Sequence, residues 1–135
     1  MKACCYALAV VLAVAGTALA AEHTDDSLDK VQRNLAEKKA LLIDVREPDE
    51  WKRGHLKQAQ LVPLSELKQM SSDPAVRAKV EKNLSKERII YCHCASGFRV
   101  LSAADILGKL GYDVRPLSSG FSDLQESGFP VAEQP

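Results

Sequence analysis

The chain carries no surplus of either charge: 18 Lys and Arg stand against 18 Asp and Glu in 135 residues, a formal net charge of zero with histidine neutral. With no basic excess and no long run of one sign, nothing in it suits a nucleic-acid backbone. Internal repeats and low-complexity tracts are absent, and no shift in composition marks an internal domain boundary. At this length one domain fits and two ordinary ones do not. Disulfide staples are missing as well. There are 4 cysteines, of which Cys4 and Cys5 sit in an apolar leader while Cys92 and Cys94 lie one residue apart, too close to tie distant loops. A domain of this size buries a core without them.

The first twenty residues read as a leader rather than as fold. Lys2 supplies a positive start, Ala3 to Ala15 is an apolar run, and Ala18-Leu19-Ala20 offers the small-x-small pattern of a signal-peptidase site. The run is short for a membrane span, and polar Glu22-His-Thr-Asp-Asp26 follows at once. Residues 1–20 are therefore expected to be a cleaved signal peptide and residues 21–135 a periplasmic or secreted domain with no stable membrane insertion. An uncleaved anchor is the alternative. A thiol in an oxidising compartment then needs explaining.

Along the rest of the chain, short apolar runs alternate with helical patterns. Asp25-Asp-Ser27 caps a helix with Leu28, Val31 and Leu35 on one face. Strands are expected in the run Ala40–Val45, ending at Asp44, and at Ala59–Pro63, Arg88–Cys92 and Asp113–Leu117. Between them, helical segments are expected at Glu47-Pro48, at Leu64–Met70, from Asp73-Pro74 with Val76 and Val80 inward, and over Arg99–Leu110, stopped by Gly111. A last helix covers Phe121–Glu126. Strands alternating with helices predict an α/β fold, a mostly parallel central sheet with helices on both faces.

The sharpest local signal is a strand, then Cys94-Ala-Ser-Gly-Phe-Arg99, then a helix. In an open parallel sheet, reactive groups collect beyond the carboxyl ends of the strands. Loop N–H groups there form an anion-binding nest, and the dipole of the following helix adds positive potential. Arg99 adds a permanent cation, and together these favour a thiolate on Cys94. Ala95 and Gly97 keep the loop small enough to curl round a sulfur, Ser96 offers a hydroxyl, and Phe98 is placed to wall the pocket. Cys-x4-Arg alone also fits an inert buried cysteine; its position between strand and helix favours the nucleophile.

Three ordered motifs carry a family resemblance. Leu42-Ile-Asp-Val-Arg-Glu-Pro-Asp-Glu-Trp51 with Gly54-His55-Leu56 resembles the amino-terminal signature of rhodanese-like domains. Tyr91-Cys-His-Cys-Ala-Ser-Gly-Phe-Arg99 resembles their active-site loop, and Leu117-Ser-Ser-Gly-Phe121 with Gly128-Phe-Pro-Val131 their carboxyl-terminal signature. The likeness covers about residues 27 to 132, and with the leader it is similar to small exported thiosulfate sulfurtransferases of bacteria. It implies a three-layer rhodanese-like fold and a thiosulfate sulfurtransferase working through a Cys94 persulfide. Arg99 would bind the donor's sulfonate, with no cofactor and only small-molecule sulfur donors and acceptors; a monomer is expected, but no residue of the sequence fixes the oligomeric state. Two departures stand out. Lys57-Gln58 replaces a small turn after Gly54-His55-Leu56, and Leu124 stands where a tryptophan is frequent.

Other residues receive plainer readings. Asp44 and Arg46 are read as a hydrogen-bonded pair shaping the loop rather than as catalysts. His55 is read as holding backbone near the first short helix, with proton shuttling as the alternative. Glu47, Asp49 and Glu50 are read as solvated helix-start charges. Cys92 is read as core, with a resolving thiol as the alternative, and His93 as an exposed or supporting neighbour of the loop. Strand alternation turns His93 away from both cysteines, and with no second ligand cluster no metal site is expected. His23 is read as remote, in a tail. Two rival functions remain. A cysteine phosphatase or arsenate reductase needs one residue more between Cys and Arg, and a non-catalytic binding or regulatory module typically lacks the cysteine.

Overall fold

A computed structural model describes residues 19–134. Of the expected leader, residues 1–18 with Cys4 and Cys5 lie outside the described residues. The elements run α1 (Leu28–Ala36), β1 (Ala40–Asp44), α2 (Pro48–Lys52), β2 (Ala59–Leu61), α3 (Leu64–Gln69), α4 (Pro74–Asn83), β3 (Ile89–His93), α5 (Arg99–Lys109), β4 (Asp113–Pro116) and α6 (Phe121–Glu126). The strand order is β2-β1-β3-β4 with every neighbouring pair parallel, so the expected mostly parallel sheet is wholly parallel among the described residues.

Period-two alternation of the strands sorts their side chains into two cores. Ile43, Val45, Ile90, Cys92 and Cys94 face a cluster completed by Leu64 and Leu67 of α3, Val80 of α4, and Val100, Ala103 and Leu107 of α5. Ala40, Leu42 and Tyr91 face the other, completed by Val31 of α1, Leu124 of α6, and Leu56, Leu117 and Phe129. Both faces of the sheet are therefore dry, which is why its strands read as continuous apolar runs. The result is three layers with the sheet in the middle. Leu124 has no exposed surface and packs into the second core.

Local chemistry sets the ends of the elements. The Ser27 hydroxyl accepts from Lys30 N–H at 3.2 Å at the start of α1, and Asp73 caps α4 through Ala75 N–H at 3.0 Å. β2 stops at Leu61, two residues short of the expected Pro63, which is the N-cap of α3; Val62 and Leu64 N–H still donate to Asp44 and Val45 C=O. β3 runs from Ile89 to His93, one residue later at each end than the apolar run suggests. The turn after Leu56 forms despite Lys57-Gln58, with Ala59 N–H donating to Leu56 C=O at 3.1 Å. No helix among the described residues is long and apolar enough to cross a membrane.

Leu42 and Ile43 are adjacent in sequence yet bury into opposite cores. Leu42→Ala and Ile43→Ala should each cost about 2–5 kcal/mol in urea unfolding, while exposed Gln58→Ala should change little. Loss at only one of the adjacent pair would contradict a sheet covered on both faces.

Candidate active site

With this strand order the chain leaves β1 toward β2 on one side and returns to place β3 on the other. The crevice outside the carboxyl ends of β1 and β3 is thus the topological switch point, where open α/β sheets hold their reactive groups. Asp44 and His93 pair across β1 and β3 at that edge, and Cys94 is the next residue out.

Cys94 has no exposed surface, and its Sγ accepts a hydrogen bond from Gly97 N–H at 3.1 Å. The loop therefore curls round the sulfur. It can do so because Gly97 takes φ +86°, and a Cβ there would run into the Ser118 carbonyl oxygen. The opposite contact is tighter still: a Cβ on Gly120 would drive into the Ala95 carbonyl oxygen. Phe121 N–H donates to Cys94 C=O at 2.9 Å, and Gly120 N–H donates to Asp123 Oδ2 at 3.2 Å. The loop and the turn before α6 are thus fitted backbone to backbone. No side chain caps α5, so the positive end of its dipole is left facing the loop.

Of the residues assigned to the cradle, Ala95 and Ser96 lie exposed on the rim. Phe98 is 74% exposed and projects from the mouth of the loop, so it does not enclose the sulfur as a wall. Arg99 is engaged by a group that the sequence placed in solvent. Its two terminal nitrogens donate to the two carboxylate oxygens of Glu50, each at 2.7 Å. This bidentate bond holds the Glu50 carboxyl down at about 2, against the opposing effect of partial burial. Glu50 also accepts from Glu47 N–H at 2.9 Å, and Glu47 accepts from the Ser65 hydroxyl at 2.7 Å. Neither is a merely solvated helix-start charge; Asp49 is exposed.

Asp44 and Arg46 form a buried pair at 2.8 Å. Arg46 also donates to Gly54 C=O at 2.7 Å and lies 4.3 Å from the centre of the Phe121 ring. It therefore ties β1 to the start of α6. His55 stacks on Trp51 at 3.6 Å between ring centroids, with Nδ1 3.0 Å from Trp51 C=O, so its ring is engaged with α2. Cys92 is buried on the same side of the sheet as α5, its Sγ 3.8 Å from Val100 C=O. Burial, and then the neighbouring Cys94, push its thiol well above the usual range, which suits core rather than a resolving thiolate.

Two histidines stand elsewhere than expected. His93 is not exposed at all, because the β3 pairing carries it under the layer of α1 and α6. Its Nε2 lies 3.7 Å from Asp44 Oδ2 and has no hydrogen-bond partner. Burial pushes its imidazole below the usual range, with Asp44 opposing. His23 is not remote: its Nε2 lies 2.6 Å from the Gly97 carbonyl oxygen of the loop itself. Glu50, Gly120 and His23 are the residues that sequence reasoning missed at this site. Gly120 and Glu50 had a signal, their places in the Leu117–Phe121 and Leu42–Trp51 motifs; His23 had none. No group of three or more His, Cys, Asp or Glu residues suited to hold a metal occurs among the described residues.

The family model described as "Rhodanese-like domain" matches residues 27–127. A Schizosaccharomyces pombe protein provisionally named a mitochondrial thiosulfate sulfurtransferase is 34% identical over 84 residues, covering 60% of this chain and 59% of that one. The Bacillus subtilis protein YqhL, uncharacterized, is 35% identical over 85 residues, covering 62% and 60%. The chain thus spans about three fifths of the length of these curated relatives. Among solved structures, the human single-domain sulfurtransferase TSTD1 superposes with a TM-score of 0.63 at 27% identity, covering 75% of this chain and 94% of that one. A rhodanese-related protein of Thermoplasma volcanium gives 0.59 at 27% identity, covering 77% and 92%.

Gly120→Ala should cost about 1–3 kcal/mol in urea unfolding, because the backbone contact must be forced apart. Gly108→Ala, inside α5 with nothing within 4 Å of the added Cβ, should instead stabilise by about 0.5–1 kcal/mol. Since the folded His93 imidazole binds its proton less readily than the ordinary value of about 6.5, the unfolded chain takes up more protons once pH falls through that value. Stability should be full above about pH 6.5 and decline below it, and thermal melts of His93→Leu should show a shallower decline between pH 7 and pH 5.

Proposed function

The chain belongs to the rhodanese-like domain family, and on that premise we propose that it is a sulfurtransferase that carries sulfane sulfur on Cys94. The observation that supports this most directly is the Gly97 N–H donated to Cys94 Sγ inside a loop closed by glycine contacts. A nucleophile that must hold a transferred anion needs such a cradle of fixed donors.

With thiosulfate as donor, the Cys94 thiolate attacks the outer sulfur. A Cys94 S–S bond forms, the S–S bond of thiosulfate breaks, and its electron pair leaves on sulfite. The persulfide anion then lies among the loop N–H groups at the positive end of α5. In the second half, a thiophilic acceptor such as cyanide or a thiolate attacks the terminal sulfur, forms its own bond to it, and returns the pair to Cys94 as thiolate. No proton, electron carrier or bound cofactor is needed for either displacement.

Arg99 enters this scheme differently from its first reading. Held in a bidentate pair with Glu50, it brings little net charge to the mouth, and reaching a sulfonate would mean loosening that pair. The length of the loop supports sulfur over phosphate, since only Ala95 to Phe98 separate Cys94 from Arg99 and the Gly97 N–H already closes on the sulfur.

Incubation of the reduced protein with thiosulfate should add the mass of one sulfur atom. Cys94→Ser should abolish the gain and Cys92→Ser should preserve it, with thiocyanate formation falling at least about a thousandfold in the former. A wild-type chain that takes sulfur from neither thiosulfate nor an organic persulfide would support a non-catalytic binding module and overturn the proposal.

A further inference from the structure

The segment ahead of α1 is built into the sheet edge. Thr24 N–H donates to Pro116 C=O at 2.8 Å, at the end of β4. Asp26 accepts from Lys30 Nζ at 2.7 Å, from the Tyr91 hydroxyl at 2.7 Å and from Arg115 Nη1 at 2.8 Å. These bonds hold its carboxyl far below the usual carboxylate range. Anchored at residues 24 and 26, the strap brings His23 to the loop, 2.6 Å from the Gly97 oxygen and 74 residues away in sequence. All three residues precede the span matched by the family model, which begins at residue 27.

We propose that His23 is a positioning residue of the sulfur cradle, fixing the Gly97–Phe98 peptide so that the Phe98 N–H is presented to the sulfur held on Cys94. A carbonyl oxygen only accepts, so His23 must donate from Nε2, which it does as the Nε2–H tautomer or as the cation. The peptide is planar and there are no cis bonds among the described residues. Its N–H therefore points opposite to the carbonyl that His23 holds, away from the strap. The preceding peptide already delivers Gly97 N–H to Sγ. Holding the next one adds a second donor to the same small nest. Gly97 needs this outside hold more than other residues would, since glycine resists peptide rotation least. The Ser118 contact limits the Gly97 α-carbon, whereas His23 limits the carbonyl.

The proposal deepens the sulfurtransferase reading, but its test does not depend on turnover. His23→Ala and His23→Gln are compared with wild type in the alkylation of Cys94 by iodoacetamide at pH 7, in sulfur transfer from thiosulfate, and in thermal unfolding. His23→Ala should alkylate and turn over about fivefold more slowly, the weight of one hydrogen bond, with a melting midpoint lowered by no more than a few degrees. His23→Gln, whose side-chain amide can donate in place of the ring, should recover most of both rates. Wild-type alkylation in His23→Ala would overturn the proposal, as would equal loss of both rates in the two variants, which marks a merely structural strap. If wild type transfers no sulfur but the alkylation pattern holds, the sulfurtransferase reading fails and the positioning role stands.

Discussion

At the carboxyl edge of the sheet, two turns approach each other with no side chain between them. Gly120 leaves room for the Ala95 carbonyl, Gly97 leaves room for the Ser118 carbonyl, and Phe121 N–H bonds Cys94 C=O across the junction. Everything distinctive about the site depends on that close approach. It forces the Cys94 loop to curl inward rather than extend, so that Gly97 N–H meets the sulfur. It also brings Phe121 beneath Arg46, coupling the end of β1 to the loop after β3. Sheet register supplies the coarse placement and the glycine contacts supply the final ångström, a scale at which donors either reach a sulfur or miss it.

The fold was legible because its signals are local. A strand buried on both faces shows as a short apolar run, and Ala40–Asp44 and Ile89–His93 both do. The place of the candidate nucleophile was legible for a related reason: Cys94 stands between such a run and a helix start, and in a parallel sheet that place is nearly a coordinate. The Asp44–Arg46 pair spans two residues and could be guessed from its neighbours.

What the sequence hid depends on chain reversal. Glu50 and Arg99 are 49 residues apart, His23 and Gly97 are 74 apart, and no periodicity links either pair. For His93 the exposed reading fails and the supporting one stands, because its neighbours in space are set by the β1–β3 register rather than by the loop that follows it. His23 was misjudged because polar composition ahead of the first helix looks like a tail, and only the three donors converging on Asp26 reveal that it is tied down.

The Glu50–Arg99 pair changes where the site's selectivity must come from. A free guanidinium at the mouth would attract any anion, since a monopole acts over many ångströms. Paired to a carboxylate, its field weakens and shortens in range, and the remaining positive potential belongs to peptide N–H groups and the end of α5. Dipoles of that kind fall off steeply, so they reward an anion only when its charge lies against them. A sulfur bonded to Cys94 meets that condition at the floor of the loop, whereas a phosphate resting at the exposed rim of Ala95 and Ser96 does not. On the proposed sulfurtransferase reading, preference for a covalently held sulfur anion over a bulkier free one is a matter of range, set by a carboxylate on α2 that takes no part in the proposed displacement itself.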